Sequence, residues 1–216
     1  MALAQQQSSP SWSVGPSPTT LSDIVSPDIS VAVWQRDINP VIGEYFNNAF
    51  TTLGAGIRYV FSVESLTTAL TDVLPDGEGK AEAIDDICLL ADMMTCLFGC
   101  NEIGLRLVPL SSAMCPKLHV DQIPVRLVNT YLGEGTEWLP NEALSAHALN
   151  DTDTAIKTVV HQGFYNKNHV QQLNPFDVAL LKGSAWGDDE QMSAIHRSCQ
   201  VEPDTKRVLL TLDPIA

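Results

Sequence analysis

The sequence predicts an α+β fold, with an antiparallel β-sandwich or barrel in its second half buttressed by helices from its first half. Two observations carry this expectation. Up to about residue 100, apolar residues recur at helical spacing. Beyond it come short runs of β-branched and apolar residues separated by turn formers. A run of helices followed by a run of strands points to an all-antiparallel β unit with helices packed on one side.

Taken in order, the first 22 residues, "MALAQQQSSPSWSVGPSPTTLS", hold no charged side chain and are rich in Gln, Ser and Pro. They lack the basic start and apolar stretch of a secretory leader. We read 1–22 as a flexible tail and 23–100 as a helical supporting region. Within that region "INPVIGEYFNNAFTTLG" (38–54) and "SVESLTTALTDVL" (62–74) are amphipathic, and Pro75-Asp76-Gly77 marks a turn. The clearest helix runs from about Lys80 to Gly99, with Ile84, Ile87, Cys88, Ala91, Met94 and Phe98 on one stripe. Strands are predicted at 103–110, 117–121, 125–133, 176–184, 193–198 and 207–213, making 101–216 the β unit. The stretch 140–173 reads as an insertion or lid with one helix near 141–149.

The 216 residues are 44% hydrophobic and carry a net charge of −14. A charge of that sign opposes nucleic-acid binding, which depends on Lys and Arg neutralising phosphates, and opposes docking on anionic membranes. The most apolar stretch, 87–100, is too short to span a bilayer and is broken by Asp92. Five cysteines with no tight framework suggest free thiols in a reducing compartment. The expectation is a cytoplasmic protein acting on a small-molecule or protein substrate, with no nucleic acid, no membrane and an undetermined oligomeric state. A Gly-x-Ser-x-Gly elbow, a His-Glu-x-x-His motif and a phosphate-binding glycine loop are all missing from the sequence, which disfavours the common hydrolase and nucleotide-binding chemistries.

The chemistry concentrates in "KLHVDQ" (117–122). On a strand, His119 and Asp121 project to one face while Leu118 and Val120 face a packing layer. An imidazole and a carboxylate so placed are candidate ligands of one ion. His196, in "SAIHRS", supplies a third candidate and completes a two-histidine, one-carboxylate set. Eleven residues further on, Arg207 opens "RVLLTLD" with a guanidinium suited to bidentate carboxylate binding. Asn129 and Tyr131 share a strand face and are candidates for lining a cavity and contacting a bound carboxylate, with sheet packing as the alternative. Arg126 and Arg197 are rival anion binders, Arg197 pointing away from His196 on a regular strand. Cys115 and Cys199 flank the two histidines and with them would suit tetrahedral Zn²⁺. Trp138 and Trp186 are candidates for the barrel mouth.

In order and spacing, His119, Asp121, His196 and Arg207 resemble the Fe(II)- and 2-oxoglutarate-dependent oxygenases. "NPFDVALLKGS" (174–184) is similar to the Pro-Gly-Asp strand entry of such barrels, with Phe176 where glycine is usual. The resemblance implies a double-stranded β-helix (jelly-roll, cupin-like) barrel with N-terminal supporting helices. It further implies metal ligation by His119, Asp121 and His196, Fe(II) as cofactor with 2-oxoglutarate as cosubstrate, Arg207 as cosubstrate anchor, and a hydroxylase activity. Position 209 departs from the pattern, being Leu where a hydroxyl residue is frequent, which leaves the cosubstrate open. Two longer blocks, "CPKLHVDQIPVRLVNTYLGEGTEWLP" (115–140) and "IHRS…KRVLLTLD" (195–213), resemble an uncharacterised bacterial family, domain-of-unknown-function family 1826. The alternative function is a non-enzymatic zinc- or iron-binding barrel in metal homeostasis, closed by Cys115 or Cys199.

Overall fold

The computed structural model describes residues 10–144, 165–187, 192–202 and 204–215. Three helices pack on one face of a seven-stranded sheet: α1 (Pro40–Ala49), α2 (Val63–Val73) and α3 (Lys80–Phe98). Each begins and ends where the sequence provides for it. Asn39 caps α1 by accepting from the amides of Val41 and Ile42, and Pro40 occupies the first turn, where its missing N–H costs nothing. Gly99 terminates α3 in the left-handed conformation at φ 63°. Ile84, Ile87, Leu90, Ala91 and Met94 of α3 are buried against the sheet. At about 1.5–3 kcal/mol for each large side chain removed from water, this stripe is a major source of the fold's stability.

The strands are β1 (Trp12–Gly15), β2 (Val31–Trp34), β3 (Ile57–Ser62), β4 (Glu102–Leu110), β5 (Val125–Leu132), β6 (Glu137–Leu139), β7 (Gln171–Gln172), β8 (Val178–Lys182), β9 (Ile195–Arg197) and β10 (Arg207–Ile215). The large sheet has the order β1-β2-β8-β5-β10-β4-β3, and a smaller sheet the order β7-β6-β9. A short bridge between His119 and His196 extends the small sheet by one segment. Counting that segment, the C-terminal half holds eight consecutive stretches that pair first with last, second with seventh, third with sixth and fourth with fifth. All four pairings are antiparallel, so a long folded hairpin has been rolled over two sheets. This is the double-stranded β-helix, or jelly roll.

Alternation along the large sheet gives its faces different work. Val125, Leu127 and Tyr131 of β5 and Val208, Leu210 and Leu212 of β10 face the helices. Val128 of β5, with Val31, Val33, Ala179 and Leu181, faces the small sheet and packs on Trp138 and Ala194. Arg126 and Thr130 of β5, and Arg207 and Thr211 of β10, share this inward parity.

Three expectations about organisation need correction. Residues 12–22 are not a tail: Trp12–Gly15 pairs in parallel with β2, and Pro18–Val25 forms a 3-10 helix with Leu21 and Ile24 buried. Their apolar residues are too few for sequence periodicity to reveal. The region 23–100 is not purely helical, because β2 and β3 lie in it and extend the large sheet at both sides. Residues 117–121 do not form a regular strand; only the His119 bridge is present. Of the 140–173 insertion, Asn141–Ala143 is a 3-10 turn and Leu144 bridges Tyr165, while residues 145–149 of the helix expected near 141–149 lie outside the described residues.

Candidate metal centre

The loop from Ser111 to Pro124 crosses from the large sheet to the small one and returns. Leu118 and Val120 anchor it in a small core with Leu139 and Ile195, which leaves the intervening His119 and the following Asp121 on the opposite side. The turn after β8 holds the other end. Gly183 and Ser184 donate their amides to Pro124 O and Asp121 O, both at 2.8 Å. A side chain at 183 would overlap the carbonyl of Ile123, so this close approach requires glycine.

The result brings together three side chains far apart in sequence. One nitrogen each from His119 and His196 and one oxygen from Asp121 lie within 4.8 Å of one another. Asp121 Oδ1 is 3.7 Å from His119 Nε2, and Oδ2 is 3.5 Å from His196 Nε2. The imidazole centroids are 4.5 Å apart. Each Nδ1 faces a backbone carbonyl two residues earlier: Lys117 O at 2.9 Å for His119 and Ala194 O at 3.1 Å for His196. A carbonyl accepts but cannot donate, so the proton belongs on Nδ1 and the Nε2 lone pair points into the centre. Burial, then the neighbouring His196, pushes the His119 pKa down and favours the neutral ligand form. Burial would raise the Asp121 pKa, but the bond to His196 and the charges of His196, Arg126 and His119 outweigh it and hold the carboxyl at about 2. Two imidazoles that can each offer an Nε2 lone pair and an ionised carboxylate form a set that fits a divalent iron and leaves coordination positions open.

Arg207 is 1% exposed. Its Nε donates to Glu134 O at 2.8 Å, Nη1 to Ser198 Oγ at 3.3 Å, and Nη2 to Thr136 Oγ1 and Thr130 Oγ1 at 3.1 and 3.4 Å. Every one of these partners is neutral, and no carboxylate pairs with it among the described residues. A buried cation without a counter-ion is costly. Gly133, at φ 80° and packed on Lys206 and Arg207, makes the turn that brings Glu134 to Thr136 over the guanidinium. Ser198 stands two residues beyond His196, and Trp138, two beyond Thr136, pairs with His196 across β6 and β9. The guanidinium cage therefore sits about 7 Å along these strands from the histidine.

The remaining candidates are distributed as follows. Arg126 reaches the centre, but as a partner of the carboxylates: Nη1 donates to Asp121 Oδ2 at 2.7 Å, while Nε and Nη2 grip Asp213 at 2.8 and 2.7 Å. Asn129 and Tyr131 do not reach it, which corrects their expected role at the cosubstrate. They have helix-side parity: Tyr131 stacks on Phe46 and donates to Asp86 Oδ2 at 2.7 Å, and Asn129 donates to Phe176 O at 3.0 Å. Arg197 pairs with Glu137 at 2.5 Å on the outer side of the small sheet, as alternation requires. Neither cysteine joins the metal-ligating group found among the described residues; Cys199 Sγ contacts Glu134 O at 3.3 Å, and Cys115 is exposed. The expected sulfur-closed zinc site is therefore not formed. Trp138 is buried inside the barrel against Trp12, whereas Trp186 packs on Phe98 at the end of α3.

Thr130, Thr136, Ser198 and Asp213 went unnoticed in the sequence. The three hydroxyls surround Arg207 and offset the absence of one at Leu209. Ser198 alone had a signal, its two-residue spacing from His196; the others are isolated polar residues whose meaning depends on strand pairing.

Fold and site together define a jelly-roll protein with a two-histidine, one-carboxylate centre and a buried arginine beside it. The chain belongs to the family described as "Protein of unknown function (DUF1826)", whose model matches residues 15–213. No curated protein matches it. Among solved structures it is similar to a rice dioxygenase for auxin oxidation (11% identity, TM-score 0.47, covering 87% of this chain and 74% of that one). It is also similar to a Pseudomonas putida prolyl-4-hydroxylase (9%, 0.47, 91% and 89%). A third is a Trichoplax adhaerens prolyl hydroxylase in complex with a hypoxia inducible factor peptide fragment (10%, 0.44, 91% and 88%). Among the described residues no helix is long and apolar enough to cross a membrane.

Proposed function

We propose that this chain is a mononuclear non-haem Fe(II)-dependent oxygenase that uses 2-oxoglutarate, or a closely related 2-oxo diacid, to hydroxylate a substrate. The observation that carries the reading is Arg207, a buried guanidinium held only by neutral groups beside a three-ligand centre. A dicarboxylate cosubstrate explains both its burial and its lack of a counter-ion. One carboxylate meets the guanidinium and the Thr130, Thr136 and Ser198 hydroxyls, while the 2-oxo acid end reaches the metal.

His119, Asp121 and His196 would hold the iron. When bound, the iron supplies the redox chemistry that couples oxidative decarboxylation of the 2-oxo acid to hydroxylation of the substrate. The chain's own residues orient and neutralise. Lys117 O and Ala194 O fix the imidazole tautomers. Arg126 holds the Asp121 carboxylate in place through its second anchor on Asp213. Trp138, Val128 and Leu181 line the dry interior behind the centre.

The test is anaerobic titration of metal-free protein with Fe(II) and 2-oxoglutarate, following the metal-to-ligand charge-transfer absorption. The expected result is a band that is absent in His119→Ala and reached only at much higher 2-oxoglutarate in Arg207→Met. Tight Zn²⁺ binding with no such band would refute the oxygenase reading and favour metal handling.

A further inference from the structure

A second cationic feature lies on the same inward face, on the two strands β4 and β3 next to β10. Arg58 of β3 stands directly opposite Arg106 of β4, and Arg106 stands opposite Thr211 of β10, which has the parity of Arg207. Like charges directly opposite on neighbouring strands destabilise a sheet. In a chain of net charge −14, acidic partners are plentiful, yet among the described residues neither arginine has an ion pair. Among the described residues, Arg106 Nε is buried with no hydrogen-bond partner. Its Nη2 meets only Met114 Sδ, a weak acceptor. Asp213, the carboxylate whose charge reaches Arg106, is already gripped through both oxygens by Arg126. Burial, then the charges of Arg58 and Arg126, bears against the Arg106 charge.

Edge protection accounts for Arg58 by itself, since charged residues on an edge strand discourage unwanted pairing. It does not account for Arg106, which is on an interior strand and keeps a buried, unsatisfied donor. We propose that Arg58 and Arg106 bind an anionic oxyacid group, carboxylate or phosphate, carried by the substrate of the metal centre. The assignment to a substrate rests on the oxygenase reading above.

The placement suits that role. Strands β4 and β5 are separated only by β10, so Arg106 lies about 10 Å across the sheet from the strand of Arg126. Arg126 in turn holds the ligand Asp121. Arg207 opens β10, four residues and about 13 Å along the strand from Thr211, the partner of Arg106. The two cationic points are thus separate: Arg207 neighbours the centre through Ser198 and His196 and serves the cosubstrate, while Arg58 and Arg106 neighbour it through the strand of Arg126 and serve the substrate. A substrate anchored there by its anion presents carbon to the metal at a fixed distance, which selects by length as well as charge.

The experiment titrates the full-length metal-free protein with inorganic phosphate and, separately, with acetate, reading affinity from ligand NMR line broadening. Wild type, Arg207→Met, Arg58→Gln and Arg106→Gln are compared, with far-UV circular dichroism checking the fold. The expected result is saturable binding of at least one anion, retained in Arg207→Met and weakened tenfold or more in both Arg58→Gln and Arg106→Gln. The anion bound more tightly names the oxyacid class. Arg58 is exposed, so its variant is informative even if Arg106→Gln fails to fold. Unchanged affinity in Arg58→Gln, binding lost in Arg207→Met, or no saturable binding of either anion would overturn the site. Saturable binding lost in Arg58→Gln, in a protein that shows no Fe(II)–2-oxoglutarate band, would support the anion site while refuting its link to an oxygenase substrate.

Discussion

Replacing Arg207 by methionine separates the cost of a buried charge from its use. The guanidinium is 1% exposed and, among the described residues, bonded only to one carbonyl and three hydroxyls. Replacing buried charges by apolar side chains of similar volume is often neutral or stabilising by about 1–4 kcal/mol. Against this, the lost bond leaves Glu134 O short of a donor, at about 1–3 kcal/mol, while the three hydroxyls are free to turn to other partners. The two nearly cancel, so ligand-free Arg207→Met should unfold within about 2 kcal/mol of wild type, on either side. With cosubstrate the outcomes diverge. At 100 times its Kd, a ligand stabilises the native state by about 2.7 kcal/mol. If losing the charge-assisted contact weakens binding about 100-fold, a loss of roughly 2.7 kcal/mol, the same concentration stabilises the variant by only about 0.4 kcal/mol. Urea unfolding of Fe(II)-loaded protein, kept anaerobic, with and without 2-oxoglutarate measures both quantities. A variant crippled without ligand, or one that keeps the full ligand-induced gain, would refute the assignment of Arg207 to a cosubstrate carboxylate.

Three further outcomes are expected. Tyr131→Phe removes a buried hydroxyl that bonds Asp86, which also holds Arg36; it should cost about 1–2 kcal/mol in urea unfolding while leaving 2-oxoglutarate affinity unchanged, and a tenfold loss of that affinity would return Tyr131 to the site. Phe176 is buried at φ 70° in the left-handed region, held by its amide to Thr130 O and by its carbonyl accepting from Asn129 and Arg36. Emptying its pocket costs about 3–5 kcal/mol, but glycine relieves roughly 1 kcal/mol of backbone strain that alanine retains, so Phe176→Gly should be the more stable of the two small variants by equilibrium unfolding; equal stabilities would contradict the strain. Loading the centre with Fe(II) at 100 times its Kd should raise unfolding free energy by about 2.7 kcal/mol, reversed by a chelator and absent in His119→Ala. A gain that survives in His119→Ala would place the metal elsewhere.

Much of the fold was legible because it is written in periodicity. The α3 stripe and the alternation of β5 and β10 are local patterns, and burial of one face follows from them whatever the partner. The spacing of His119, Asp121, His196 and Arg207 pointed to one metal centre and its neighbouring cation, and the packing of Leu118 and Val120 opposite His119 and Asp121 followed from parity. What the sequence does not carry is which face of β5 looks inward: Pro124 interrupts the alternation from Asp121, so the face shared by Asn129 and Tyr131 cannot be told from the face of Thr130 by spacing. Only strand pairing put Thr130 beside Arg207 and Tyr131 against Phe46. The hydroxyl cage, the Arg126 bridge between Asp121 and Asp213, and the Arg58–Arg106 pair likewise exist only across strands. Composition and period determine what each segment buries; sheet register, set by contacts between residues distant in the chain, decides which polar groups meet inside.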